Sequence, residues 1–218
     1  MKPSAPDYDL DAIYEATAET LLKTKVSTGS IAGEWLVFGL ARALDKEPTG
    51  AQKTAYLDAV KAYIKEEIDT NGRLDEYKST ENTRIALALT ALGYDPAAFQ
   101  DYDLLGALEN TIWASSQGNT GTAFALLAIN AAAYDASNKN ELIDSLLNCQ
   151  LTNGGWSISG SSADLDATAM VIQALAPYYN TKAEVSTAVD KALTFLAAKM
   201  NDAGQMSDGA NNPSVETV

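Results

Sequence analysis

Four stretches of this chain are apolar almost all the way round when wound at the helical period. They are EWLVFGLARAL (34–44), TRIALALTALG (83–93), TAFALLAINAAA (122–133) and DATAMVIQALAPYY (166–179). A short helix without a polar face has to be covered by protein on every side. Other segments carry apolar groups on one side only. AEVSTAVDKALTFLAAK (183–199) sets Val185, Val189, Leu193 and Leu196 at helical spacing, and AYLDAVKAYIKEEI does so through Leu57, Val60, Ile64 and Ile68. DYDLLGALENTI uses Leu104, Leu108 and Ile112, and NELIDSLLNC uses Leu142, Ile143, Leu146 and Leu147. Half-wet stripes of this kind belong to surface helices. The chain therefore reads as all-α, with inner helices sheathed by outer ones.

The two kinds alternate four times, outer then inner. Taking Trp35, Thr83, Thr120 and Asp166 as equivalent positions gives spacings of 48, 37 and 46 residues, the range of stacked helical repeats, here αα-hairpins. Turn-forming segments DTNG (69–72), SQGNTG (116–121), TNGG (152–155) and NDAG (201–204) separate them. A fifth outer helix ends near Lys199, and NPSVETV opens an inner helix with no residues left to finish it. Residues 1–8 read as a disordered tail and 9–218 as one repeat domain whose last hairpin is incomplete. Concentric layers make either an open solenoid or a ring. The expectation is αα-hairpin repeats forming a partial or truncated α/α toroid, unless another copy completes it.

At 218 residues and 46% apolar content the chain can bury a sizeable core. Its net charge of −14 repels phosphate, which argues against nucleic acid and against anionic membrane, and is also a common solubility device. No run reaches the roughly 18 apolar residues of a membrane span. Histidine is absent, so Ser-His-Asp and Cys-His triads and every His-containing zinc site are excluded. Cys149 is the single cysteine and cannot form an internal disulfide. The start, MKPSAPDYDL, has no apolar leader core; the compartment is cytosolic, or a leader lies outside this sequence.

QLTNGGW, with Leu146 four residues upstream of Gln150, carries the pattern of squalene-cyclase repeats: Leu146, Gln150, Gly154 and Trp156. DLDATAMVIQALAPYY resembles the inner helix of the terpenoid-cyclase/prenyltransferase type of αα-toroid. GEWLVFGLARA, STENTRIALALTALGYDP and QGNTGTAFALLAIN are similar to segments of such domains in secreted or surface proteins of Gram-positive bacteria. The resemblance runs from about Glu34 to the end, and it implies an extracellular or cell-surface location. In physical terms the element is a brace. Gln can satisfy carbonyls at an outer-helix end, Gly permits the turn, and Trp packs between hairpins.

The resembling enzymes carry catalytic sets that this chain lacks in part. Class II terpene cyclases place D-x-D-D before this helix, and its middle Asp protonates an alkene. Here the order is Asp164, Leu165, Asp166, Ala167, so Asp166 matches the middle position and the third Asp is missing. Prenyltransferases hold zinc with Asp, Cys and His, and thioester domains need Cys-Gly-Glu-Gln; neither set exists here. DLDAT then reads first as an N-cap, Asp164 or Asp166 accepting first-turn N–H bonds, with a ligand contact as the alternative. The inner helices start near Glu34 and Trp35, Glu81 and Arg84, Asn119, Asp164 and Asp166, and Glu216. In a toroid these starts gather at one mouth, where Trp35 could stack on a sugar or a cation; repeated capping explains the same residues without a ligand. DTNGRLDE (69–76) and NDAGQMSDG (201–209) do not match the calcium-loop spacing and read as turns, so no metal or cofactor is expected. The functional expectation is a non-catalytic binding or adhesion module for a polar glycan, peptide or small molecule at Glu34, Trp35, Glu81, Arg84, Asp164 and Asp166. Further repeats or domains of the same parent protein are the other candidate partner. The alternative is a diverged cyclase-like or polysaccharide-processing toroid enzyme using Asp166.

Overall fold

The computed structural model describes residues 9–26, 31–43, 45–201 and Met206, and among these there are helices and no strands. The helices are α1 (Leu10–Lys23), α2 (Ile31–Arg42), α3 (Gly50–Glu67), α4 (Ser79–Ala91), α5 (Thr111–Ala114), α6 (Gly118–Ala131), α7 (Lys139–Asn148), α8 (Leu165–Leu175) and α9 (Ala183–Lys199). The all-α expectation holds. The N-terminal tail, the NPSVETV segment and Glu216 lie outside the described residues, as does most of NDAGQMSDG.

The four stretches that lack a polar face become α2, α4, α6 and α8, and each packs on the next in chain order. In α4 every residue from Asn82 to Leu89 is buried, the covering that such a helix requires. These inner helices run in one direction. Near their starts, the backbone N–H of Thr80 (α4) donates to Gln117 Oε1 just before α6, at 3.1 Å, and Asn119 Nδ2 (α6) donates to Ser157 O ahead of α8, at 2.9 Å. Near their ends, the Tyr178 hydroxyl beyond α8 donates to Asn130 Oδ1 of α6 at 2.6 Å. Outside them, α3 packs on α2, α7 on α6, and α9 on both α8 and α7. The buried stripe of α9 is Val185, Ala188, Val189, Ala192, Phe195 and Leu196. Leu193, counted into that stripe from spacing, faces out at 50% exposure, and Ala192 takes the buried position.

The stretch 101–112 does not form the outer helix its spacing predicts. It folds as a 3₁₀ turn, Gly106–Glu109, followed by the single turn α5. Asp103 Oδ1 accepts from the N–H groups of Leu105 and Gly106, at 2.9 and 2.8 Å, and Asn110 Oδ1 accepts from Trp113 N at 3.0 Å. Each bond starts a turn anew, so short polar side chains interrupt the ladder. Leu104 and Leu108 are still fully buried, while Ile112 is 87% exposed.

Two of the turns between outer and inner helices are built identically. In 69–74 the Asp69 N–H donates to Arg73 O and the Gly72 N–H to Asp69 O; in 151–156 Leu151 N donates to Gly155 O and Gly154 N to Leu151 O. Both glycines have positive φ, +77° and +92°, and a Cβ on Gly154 would lie 2.6 Å from Lys191 O, so the position accepts glycine alone. Leu74 N donates to Asn82 Oδ1 at 2.9 Å as Trp156 N donates to Thr168 Oγ1 at 2.9 Å. The αα-hairpin is thus repeated down to its hydrogen bonds.

Candidate functional site

Residues of α2, α4, α6 and α8, with Lys78 and Gln117 just ahead of α4 and α6, line a cleft of about 980 Å³. That is near the upper end of small-molecule sites, roughly 300–1,000 Å³. Its apolar wall is made by Trp35, Phe38, Leu87, Phe124, Leu127 and Met170. Trp35 meets Phe38 edge-on, centroids 5.8 Å apart at 89°, and leans on Phe124 at 5.9 Å and 49°. Trp35 and Phe124 belong to α2 and α6, which flank α4, so these rings meet across the α4 surface. Lys78, Thr80, Gln117, Thr120 and Gln173 supply polar lining, and Glu81 and Arg84 complete it.

The charged groups are tied to one another. Arg84 is buried at 7% exposure and Glu34 at 0%. Arg84 Nε lies 3.0 Å from Glu34 Oε2. Its NH2 and NH1 reach Glu81 Oε2 and Oε1 at 2.6 and 3.3 Å, a two-pronged pairing suited to guanidinium and carboxylate. The Tyr63 hydroxyl of α3 adds a bond to Glu81 Oε2 at 3.3 Å. Burial, and then the charge of Glu81, push the Tyr63 phenol up to about 12. Tyr56, also from α3, is raised by burial and then by Glu34, since both disfavour a second negative charge. This cluster fastens α2, α3 and α4 together, with two carboxylates sharing one guanidinium.

Of the six residues singled out from sequence, Trp35, Glu81 and Arg84 line the cleft, and Glu34 lies behind it against Arg84. Asp164 borders a separate hollow of about 440 Å³ between the loop before α8 and the end of α9. There it caps α8, accepting from Ala167 N at 2.8 Å. Asp166 stands in the first turn of α8 and lines neither space. The brace residues come together with one change of role. The indole N–H of Trp156, not Gln150, takes the carbonyl of Leu146 near the end of α7, at 2.7 Å. Gln150 Nε2 instead bridges Gly154 O and Ala188 O of α9, at 2.8 and 2.7 Å. Asn82 does the same one repeat pair earlier, donating to Gly72 O and Leu104 O at 2.7 and 3.0 Å.

No protein-family model, curated protein or solved structure matches this chain. The site is therefore read from its own chemistry. Among the described residues no group of three Asp, Glu, His or Cys side chains is placed to hold a metal ion, and no helix is long and apolar enough to cross a membrane. Asp69, in the loop tested against the calcium pattern, accepts from the N–H groups of Asn71 and Arg73 at 2.7 and 2.9 Å and so acts as a turn residue. Sequence reading missed Phe38, Phe124, Thr80, Gln117 and Gln173 as walls of one space. The only signal available was that each lies in, or just ahead of, one of the successive inner helices.

Proposed function

We propose that this chain is a ligand-binding module whose site is the cleft across α2, α4, α6 and α8, in an incomplete α/α toroid of the terpenoid-cyclase/prenyltransferase kind. One observation carries the binding reading. The cleft is lined by aromatic and aliphatic side chains with a few hydrogen-bonding ones among them, the make-up of small-molecule sites. The toroid reading is supported by the parallel succession of inner helices and by the Trp35–Phe124 contact, which needs the arc to curve toward the cleft. The ligand class is a glycan, a peptide or a small polar molecule. An extracellular or surface location follows the resemblance alone, and protease treatment of intact source cells tests it: protection of the protein would count against it.

Trp35 is a built-in reporter, being half-buried in the cleft while Trp113 and Trp156 are 4% and 0% exposed. A ligand should shift its emission, and Trp35→Phe should abolish the shift. The enzymatic alternative depends on Asp166. What favours binding over an acid role is that Asp166 is not a wall of the cleft and that DLDA lacks the third carboxylate. Incubation with squalene-type polyenes checks this: cyclic products from wild type that vanish in Asp166→Asn would replace the binding reading with catalysis.

A further inference from the structure

We infer that a second copy of this chain docks end to end on the first, the α1–α2 hairpin of one copy against the α8–α9 hairpin of the other. This holds whether or not the cleft binds a ligand. The repeat supplies the matching surfaces. Inner helices pack in chain order, α2 on α4, α4 on α6 and α6 on α8, so one side of an inner helix fits the other side of its neighbour. Among the described helices, α2 uses one of these sides and α8 the other. What is left at the two ends is a complementary pair, the surfaces that stack hairpin on hairpin within the chain. Each copy offers both halves, and a contact between unlike halves is heterologous, closing a ring or extending a row.

Stacks of this kind stay apart when their terminal repeats have polar outer faces. Neither end is finished in that way among the described residues. At the first end, α1 buries Ala18 alone and leaves Leu10 and Ile13 exposed, three apart on one flank. In α2, Gly39 is exposed, and an added Cβ there would meet nothing within 4 Å. Glu34 turns to α4, and Leu36, Val37 and Leu40 are buried in the cluster shared with α3; Gly39 lies round the helix from both groups. A glycine inside a helix weakens it relative to alanine, and no described neighbour within the chain requires one here. A helix of another copy, approaching closely, does. At the other end, Gln150 and Gly154 of the α7 hairpin meet α9 at Ala188 O and Lys191 O. Leu193 lies round the helix from these positions and is exposed, as are Met200 just beyond α9 and Ile158 ahead of α8. The net charge of −14 opposes the contact at low salt, so apolar ends that meet in spite of it associate more as salt rises.

The test is sedimentation velocity of the full chain over a concentration series at low and high salt, and association should grow with both. Leu193→Glu spoils one end and Ile13→Glu the other, each at a half-exposed position. Either alone should weaken self-association by roughly tenfold or more, at unchanged thermal midpoint. An equimolar mixture of the two joins the sound end of one to the sound end of the other, and should restore dimers that grow no further. Gly39→Leu should behave as a first-end variant, rescued by Leu193→Glu and not by Ile13→Glu. A mixture of Leu193→Glu and Ile13→Glu that stays monomeric, or dimers undiminished in either variant, places the contact elsewhere and overturns the end-to-end docking. A wild type that is monomeric at every concentration and salt overturns it too; a thermal midpoint lowered by Leu193→Glu would then show that this edge is covered from within the chain.

Discussion

Arg84 shows how much a single buried charge can organise. Its partners Glu34 and Glu81 come from α2 and from its own helix, and Tyr63 closes the group from α3. Removing one member of a buried pair strands the other, at about 3–5 kcal/mol. Arg84→Met should therefore lower unfolding free energy by about that much in urea melts, and Glu34→Gln by less, because a neutral amide can still face the guanidinium. Equal, small effects would show that the cluster is solvated. The phenols set the alkaline limit. Tyr63 and Tyr134 titrate near 12, in both cases because burial, and then a neighbouring carboxylate, disfavours the phenolate. Their folded values exceed the unfolded value near 10. The stability they add is therefore complete below about pH 10 and is lost as pH climbs toward 12. Far-ultraviolet circular dichroism against pH should show unfolding in that window, moved to higher pH in Tyr63→Phe, which removes one of the phenols whose ionisation drives it. At this scale the sequence was half legible. That Glu81 and Arg84 sit three apart on one helix could be read, but Glu34 belongs to another hairpin and its pairing could not.

At the scale of elements, hydrogen-bonding side chains decide where helices begin and where they are stopped. Asp164 caps α8, so Asp164→Ala should cost about 1 kcal/mol in a denaturant melt. The braces are graded. Asn82 is wholly buried and satisfies the Leu74 N–H and two carbonyls, while half-buried Gln150 satisfies two carbonyls. Asn82→Ala should cost about 2–4 kcal/mol and Gln150→Ala about 1–3 kcal/mol, a ranking that denaturant titration can reverse or uphold. The inner helices were legible because a segment without a polar face has only one place to go. The 101–112 stretch was misread because Asp103, Gly106 and Asn110 outweigh an apolar spacing that short turns also permit.

For the whole molecule, charge and curvature are the two properties that matter. A net charge of −14 strains the compact state by self-repulsion, which counterions relieve within about 10 Å at 0.1 M salt. The thermal midpoint should rise between about 10 and 150 mM salt, in calorimetry at neutral pH; a fall would mean that the Arg84 cluster and other ion pairs dominate. Curvature shows in Trp35 and Phe124, rings of non-adjacent inner helices that touch over α4. Both rings line the cleft, whose walls come from four successive inner helices.

From the sequence by itself came the helical class, the division into inner and outer helices, the repeat turns and the capping role of DLDAT. Each is recorded by local chemistry: the period of apolar side chains marks which face is covered, and Asp, Asn and Gly act on backbone groups a few residues away. The tertiary structure alone decided that Glu34 joins Glu81 on Arg84, that Trp156 and Gln150 divide the brace between them, and that Thr120, Gln173, Phe38 and Phe124 share a space with Trp35. Those facts depend on how separate hairpins stack and bend, and no spacing along the chain encodes a distance between helices that meet only when folded.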